Sequence, residues 1–161
     1  MPVTRRKNQA LISIFSILLI LAIDQYSKLL VRLKFTVGES LPLIRNIFHI
    51  TYVSNKGAAF GLFKNFTLIF IMISIVVIVY ILLVVLKSIK GGKFLSDPII
   101  NFGLILIIAG ALGNLIDRLK FGYVTDFLDF RIWPVFNIAD IAITIGTFFL
   151  ILSFLSRKNC P

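Results

Sequence analysis

One histidine, His49, and one cysteine, Cys160, are all that 161 residues offer of the softer metal ligands and nucleophile partners. A zinc site would lack ligands. A lone cysteine excludes an intrachain disulfide and any multi-cysteine centre, and Cys160 reads as a bystander. Any Ser-His-Asp or Cys-His arrangement would have to draw on His49, whose strand-like surroundings suit a surface or packing role better. No glycine-rich phosphate loop is present. Asp126, Asp129 and Asp140 could hold a hard cation, but no stretch resembles a loop built for one. These absences leave no cofactor or metal to expect. Acidic residues are scarce as well: 7 Asp and Glu stand against 17 Lys and Arg, a formal net charge of +10. No nucleic-acid partner follows, because the basic residues gather at the ends of apolar blocks, where they meet lipid headgroups, and no basic face alternates with aromatics.

Charge of either sign is thin. Only 15% of residues are charged and 58% are hydrophobic, against about 25% and about 45–50% in ordinary soluble domains. The apolar excess lies in four blocks, 10–30, 66–86, 98–116 and 135–155. Each is long enough to cross a hydrocarbon core, which takes about 20 helical residues. The chain therefore reads as one membrane-embedded domain, 1–161, all-α with four transmembrane helices. Arg5-Arg6-Lys7 before an apolar run imitates a secretory signal, but no A-x-A site follows, so a retained first span is expected. Arg5, Arg6 and Lys7, then Lys87, Lys90 and Lys93, then Arg157 and Lys158 flank the spans on one common side. The positive-inside rule makes that side, with both termini, cytoplasmic. Arg32, Lys34, Arg45, Lys56 and Lys64 in the 31–65 connection weaken the contrast without reversing it.

That connection is the one extended extramembrane piece. Residues 46–53 are rich in β-branched and aromatic types, and Gly57-Ala58-Ala59-Phe60-Gly61 follows. A small extracytoplasmic β-sheet with a glycine-bearing turn is expected there, on the outer membrane surface, with a short interfacial helix over 41–46.

Polar residues inside spans are costly and usually face a protein interior. At about 1.5 Å per helical residue, Asp24 lies about 21 Å above Ala10, Asn114 about 24 Å above Pro98, and Asp140 about 26 Å above Arg157. Three helices thus bring polar groups to one depth, just inside the outer leaflet. Gly110, Asn114, Asp117 and Arg118 share one helical face, and Asn137, Asp140, Thr144 and Thr147 form a similar stripe. Asp24 and Lys28 are spaced for an ion pair; for Lys28 and Arg32 a structural role between helices or at the interface is the better reading. Ala109 and Gly113 are small enough to let a neighbouring helix approach.

By elimination a carboxylate pair remains. Two aspartates close together in a low-dielectric site share one proton, so one can act as base on water while the other polarises a carbonyl. Asp126, just outside the membrane, and Asp140, about one turn into the fourth span, are plausible partners if the 127–136 segment with Trp133-Pro134 folds back. Asp117 or Asp129 could be a member instead.

Five blocks in this order carry a resemblance: Asp24-Gln25-Tyr26-Ser27-Lys28; Asn55-Lys56-Gly57-Ala58-Ala59-Phe60-Gly61; Gly110-Ala111-Leu112-Gly113-Asn114-Leu115-Ile116-Asp117-Arg118; Val124-Thr125-Asp126-Phe127; and Phe136-Asn137-Ile138-Ala139-Asp140. Along nearly its whole length the chain resembles lipoprotein signal peptidase, or signal peptidase II. The resemblance implies four helices with a small extracytoplasmic sheet that cradles substrate. It implies an intramembrane aspartyl endopeptidase whose catalytic dyad is Asp126 and Asp140. Asn55, Gly57, Asn114, Arg118 and Asn137 would line or brace the site, and Asp24, Lys28 and Asp117 would support it. The substrate implied is a diacylglyceryl-prolipoprotein at the outer leaflet of the bacterial plasma membrane, the enzyme working as a monomer among membrane lipids and blocked by globomycin-type inhibitors. The loop over 127–136 looks short for the family, which bears on substrate gating. The rival reading is a small proton-coupled transporter or channel subunit. It expects polar residues through the full membrane depth, whereas the second span carries only Thr67, Ser74 and Tyr80. A GxGD-type intramembrane protease is excluded because that string is absent.

Overall fold

A computed structural model describes residues 3–57, 67–91 and 97–158. Its elements run α1 (Val3–Lys34), β1 (Ser40–Ile44), β2 (Phe48–Asn55), α2 (Thr67–Gly91), α3 (Pro98–Phe121), β3 (Val124–Asp129) and α4 (Ile138–Lys158). All four helices are long and apolar enough to cross a membrane. The expected turn residues 58–61, Cys160, and the side chains of Arg5, Arg6, Lys7, Lys64, Lys90, Lys93, Arg157 and Lys158 lie outside what is described.

Helix α3 is the hub. It packs against α1, α2 and α4, and 67% of its span is buried against 6% for α1 and α2. Asp97 caps its start by accepting from the Ile99 and Ile100 amides, Pro98 fits the first turn, and Gly122 ends it in the left-handed region at φ 76°. Small residues let α4 lie against it. A Cβ on Gly103 would sit 2.9 Å from the Gly146 carbonyl oxygen, and one on Gly110 would meet the Ala139 carbonyl and come within 2.8 Å of the Ile143 side chain. Close approach of this kind is how helices associate where lipid is as apolar as the protein. Because the obstacle at Gly110 is backbone, Gly110→Ala should destabilise the protein by about 1–3 kcal/mol, read as a lower thermal midpoint in detergent.

The buried face of α4 runs through Ala139, Ala142, Gly146 and Ser153. This corrects the expected polar stripe: Asn137 precedes the helix, and Thr144 and Thr147 are exposed. The Thr147 hydroxyl instead donates to its own helix at Ile143 O, 2.7 Å away, which lets a threonine face an apolar surround.

The small sheet is present, with order β1-β2-β3, antiparallel throughout. The interfacial helix expected over 41–46 is not formed; 41–44 belong to β1 and 45–46 to the turn that follows it. Pairing with β2 satisfies backbone that a single isolated helical turn would leave open, and Pro42, which holds Leu41 extended and needs no ladder donor, suits an edge strand. Asn46, at φ 61°, lies in the link from β1 to β2. Strand β3 comes from the α3–α4 connection, outside the 31–65 segment where the sheet is expected. Past it the chain does fold back: Phe127 N and Leu128 N both donate to Phe136 O, and Phe136 N returns to Leu128 O. Phe130 stacks on Phe136 with centroids 5.9 Å apart. Val31, Tyr52 and Phe127 form the core that seats the sheet on α1.

Candidate active site

Strand β3 carries Asp126 opposite Val53 of β2, and both oxygens of its buried carboxylate accept side-chain amides. Asn55 Nδ2 donates to Oδ2 at 2.8 Å, and Asn137 Nδ2 donates to Oδ1 at 2.6 Å. Asn55 is held in turn, because its own Oδ1 accepts the Gly57 amide at 3.0 Å. Asp140 sits in the first turn of α4 within a reciprocal cap. Asn137 Oδ1 accepts the Asp140 amide at 3.0 Å, and Asp140 Oδ2 accepts the Asn137 amide at 3.2 Å. This is a capping box made with Asn and Asp, and it satisfies amides that a helix start leaves unpaired.

Asn114 of α3 joins the two halves. Its Nδ2 donates to Asp140 Oδ1 at 2.8 Å, while its Oδ1 accepts from Asn137 Nδ2 at 3.2 Å and from Lys28 Nζ at 3.0 Å. Asp126 and Asp140 are therefore connected through Asn137 and Asn114, whose amide orientations the donor and acceptor pattern dictates. Arg118 lies beside this network. Its guanidinium stands over the Phe70 ring, 5.1 Å from the centroid, and it shares with Asn114 and Asp140 a cavity of about 270 Å³. The rest of that lining is mostly apolar, including Ile73, Val77, Ile107 and Ile143.

Behind the network lies a buried charge cluster. Lys28 Nζ is 2.9 Å from Asp24 and 3.5 Å from Asp117, with all three side chains fully buried. Arg32 is 3.6 Å from Asp117, donates to Thr125 Oγ1 at 2.9 Å, and lies over the Phe121 ring. Lys28 and Arg32 thus tie helices and sheet together rather than reaching for headgroups. Asp129, the other candidate partner, belongs elsewhere. It accepts from the Thr51 hydroxyl at 2.7 Å and from the Arg131 amide and guanidinium. Burial pushes its carboxyl up, but these bonds outweigh that and leave it below its ordinary value. His49 pairs with it across β2 and β3 and contacts Ser40 Oγ through Nδ1, away from the network. Among the described residues no group of three or more His, Cys, Asp or Glu could hold a metal ion.

Burial, reinforced by the charge of Asp140, lifts the Asp126 carboxyl from an ordinary 3.8 to about 7, against the opposing hydrogen bonds from Asn55 and Asn137. Such a group keeps its proton in the folded state over a range where the unfolded chain has released it. Its contribution to stability therefore falls as pH rises from about 4 to about 7. Asp126→Asn does not titrate and escapes that loss. Its thermal midpoint relative to wild type should rise between about pH 5 and about pH 8; drift in the other direction would show that the carboxyl is not held up.

A family model described as Signal peptidase (SPase) II matches residues 16–156. The chain belongs to the signal peptidase II family. A lipoprotein signal peptidase of Moorella thermoacetica is 51% identical over 135 residues, covering 83% of this chain and 85% of that one. One from Halothermothrix orenii is 49% identical over 136 residues, covering 84% and 90%. A solved bacterial membrane enzyme superposes with a TM-score of 0.81 at 32% identity, covering 91% of this chain and 89% of the other. The chain is thus a multi-pass membrane protein with a family fold, and the transporter reading finds no support in these relatives. Three features of the site are absent from the sequence-based expectations: Gln25 and Thr125, whose partners Asp117 and Arg32 lie 92 and 93 positions away, and Asn137 as a helix cap, which Asn-x-x-Asp before an apolar run signals.

Proposed function

We propose that the chain is an aspartyl endopeptidase that removes the signal peptide from diacylglyceryl-modified prolipoproteins, with Asp126 and Asp140 as its dyad. The observation that carries this reading is the single hydrogen-bond network in which Asn137 and Asn114 connect the buried Asp126 carboxyl to the half-buried Asp140 carboxyl at the cavity. With Asp126 raised to about 7, the pair holds one proton near neutral pH. The ionised member takes a proton from water, and that oxygen attacks the scissile carbonyl. The protonated member donates to the carbonyl oxygen, and the resulting diol collapses as the amide nitrogen leaves with a proton. Four amide groups from Asn55, Asn114 and Asn137 keep the carboxylates oriented before substrate arrives, which spares reorganisation in the transition state.

Gly57 keeps its backbone amide on Asn55, and Arg118 beside the cavity offers a cation to substrate carbonyls or lipid esters. The apolar lining suits a signal helix, and a diacyl chain in the outer leaflet of the plasma membrane holds the scissile bond at this depth. Both termini are then cytoplasmic, the site faces the extracytoplasmic side, and a monomer suffices. A globomycin-type cyclic peptide would compete for the same groove. The test is cleavage by purified protein in micelles of a diacylglyceryl-prolipoprotein and of the same chain without lipid. Cleavage of the acylated form just before its modified cysteine is expected; equal cleavage of the unacylated form would sink the reading.

A further inference from the structure

The buried cluster behind the network does something more specific than neutralise charge. Asp24 Oδ1 accepts the backbone amide of Ala139 at 2.9 Å, and Asp117 Oδ2 accepts the backbone amide of Thr125 at 2.9 Å. Ala139 immediately precedes Asp140, and Thr125 immediately precedes Asp126. Each of two carboxylates, from different helices, thus holds the residue one Cα away from a member of the dyad. The captured amides differ in kind: one is an orphan donor in the first turn of α4, where the helix dipole also favours an anion, and the other is a strand amide in β3.

The two holds are tied to each other. Lys28 Nζ lies 2.9 Å from Asp24 and 3.5 Å from Asp117. Gln25 Nε2 lies 3.1 Å from Asp24 Oδ2, 3.2 Å from Asp117 Oδ1 and 3.1 Å from the Gly113 carbonyl. Gly113 leaves the space this needs, since a Cβ there would come 2.5 Å from Asp24 Oδ2.

We infer that Asp24 and Asp117 are positioning residues that set where the two dyad aspartates stand, and that Gln25 and Lys28 join them into one clamp. The inference rests on the dyad reading above. A pair that shares a proton needs a defined separation, and a misplacement of about 1 Å can cost about 10²-fold in rate. Interhelical glue of the ordinary sort could bond any backbone group. Here a single cluster reaches both residues that precede the dyad, although they are 14 positions apart and on different elements.

The experiment compares kcat and KM on a diacylglyceryl-prolipopeptide for folded, purified Gln25→Leu, Asp24→Ala, Asp24→Asn, Asp117→Ala and Asp117→Asn. Each alanine variant should lose about 10²-fold in kcat with KM within about twofold of wild type. Asparagine keeps an oxygen that can accept the amide, so each Asn variant should recover at least about tenfold over its Ala counterpart. Asp117→Asn should lose yield and thermal stability more than chemistry. Gln25→Leu, which leaves both carboxylates and Lys28 in place, should lower kcat by about threefold to tenfold. Full kcat in a folded Ala variant, loss confined to KM, or Asn no better than Ala would overturn the inference. Where the Ala variants fail to fold, unchanged kcat in Gln25→Leu overturns it. Activity in Asp126→Asn or Asp140→Asn would instead remove the dyad reading, so the two failures are distinguishable.

Discussion

Asp126→Asn and Asp140→Asn should each lower turnover of a diacylglyceryl-prolipoprotein by about 10⁴-fold while the protein stays folded. The proposed chemistry needs one carboxylate to take a proton and one carboxylic acid to give it, and an amide does neither at neutral pH. Shape is not the issue, since Asn matches Asp in size. Each carboxylate accepts only from donors: Asn55 and Asn137 at Asp126, and Asn114 and the Asn137 amide at Asp140. An introduced NH₂ therefore faces one donor, at a cost of about 1–3 kcal/mol unless a neighbouring amide turns over. Burial without charge offsets part of that cost at Asp126, where the ionised form is disfavoured. Turnover, KM and thermal midpoint measured on one preparation separate chemistry from folding. Near wild-type turnover in either folded variant would exclude that residue from the dyad.

Lys28→Met should have the largest effect on folding. The ammonium is fully buried with Asp24 and Asp117 and donates to Asn114 Oδ1. Removing it leaves two buried carboxylates with Arg32 on one of them and takes a donor from Asn114, which bonds to Asp140 and Asn137. Loss of one member of a buried ion pair costs about 3–5 kcal/mol, because the remaining charge is uncompensated. Methionine fills a similar volume, so the expected loss is electrostatic. Yield and thermal midpoint should collapse in Lys28→Met and recover in part when Asp24→Asn is added, which removes one orphaned charge. A Lys28→Met protein that melts within about 2 °C of wild type would show that the cluster adds little to stability.

How far the sequence led differs from feature to feature. The spans were legible because about 20 apolar residues admit few other structures. Depth counting also worked, since the rise of a helix is constant: Asp24 and Asn114 both bond to Lys28, and Asn114 bonds to Asp140. Side-chain partners away from a regular helix were not countable. Thr144 and Thr147 fell on a stripe with Asp140 by spacing alone, yet the contact face of α4 follows its small residues, where α3 can come close. At 41–46 the pairing of β1 with β2 decided for strand, and apolar content there could not show that partner.

The sequence by itself determined a four-span membrane protein, a polar cluster at one depth, a strand after the first span and a short choice of chemistries, because these depend on composition and on local repeat distances. It left Asp117, Asp126, Asp129 and Asp140 open as partners until a family pattern was brought to them. The tertiary structure decided that β3 completes the sheet, that Asp129 bonds with Thr51 and Arg131, and that Asn137 and Asn114 connect Asp126 to Asp140. It also decided that Asp24 holds an amide 115 residues away. Such contacts depend on how helices and sheet pack across long separations, and no local spacing along the chain encodes them.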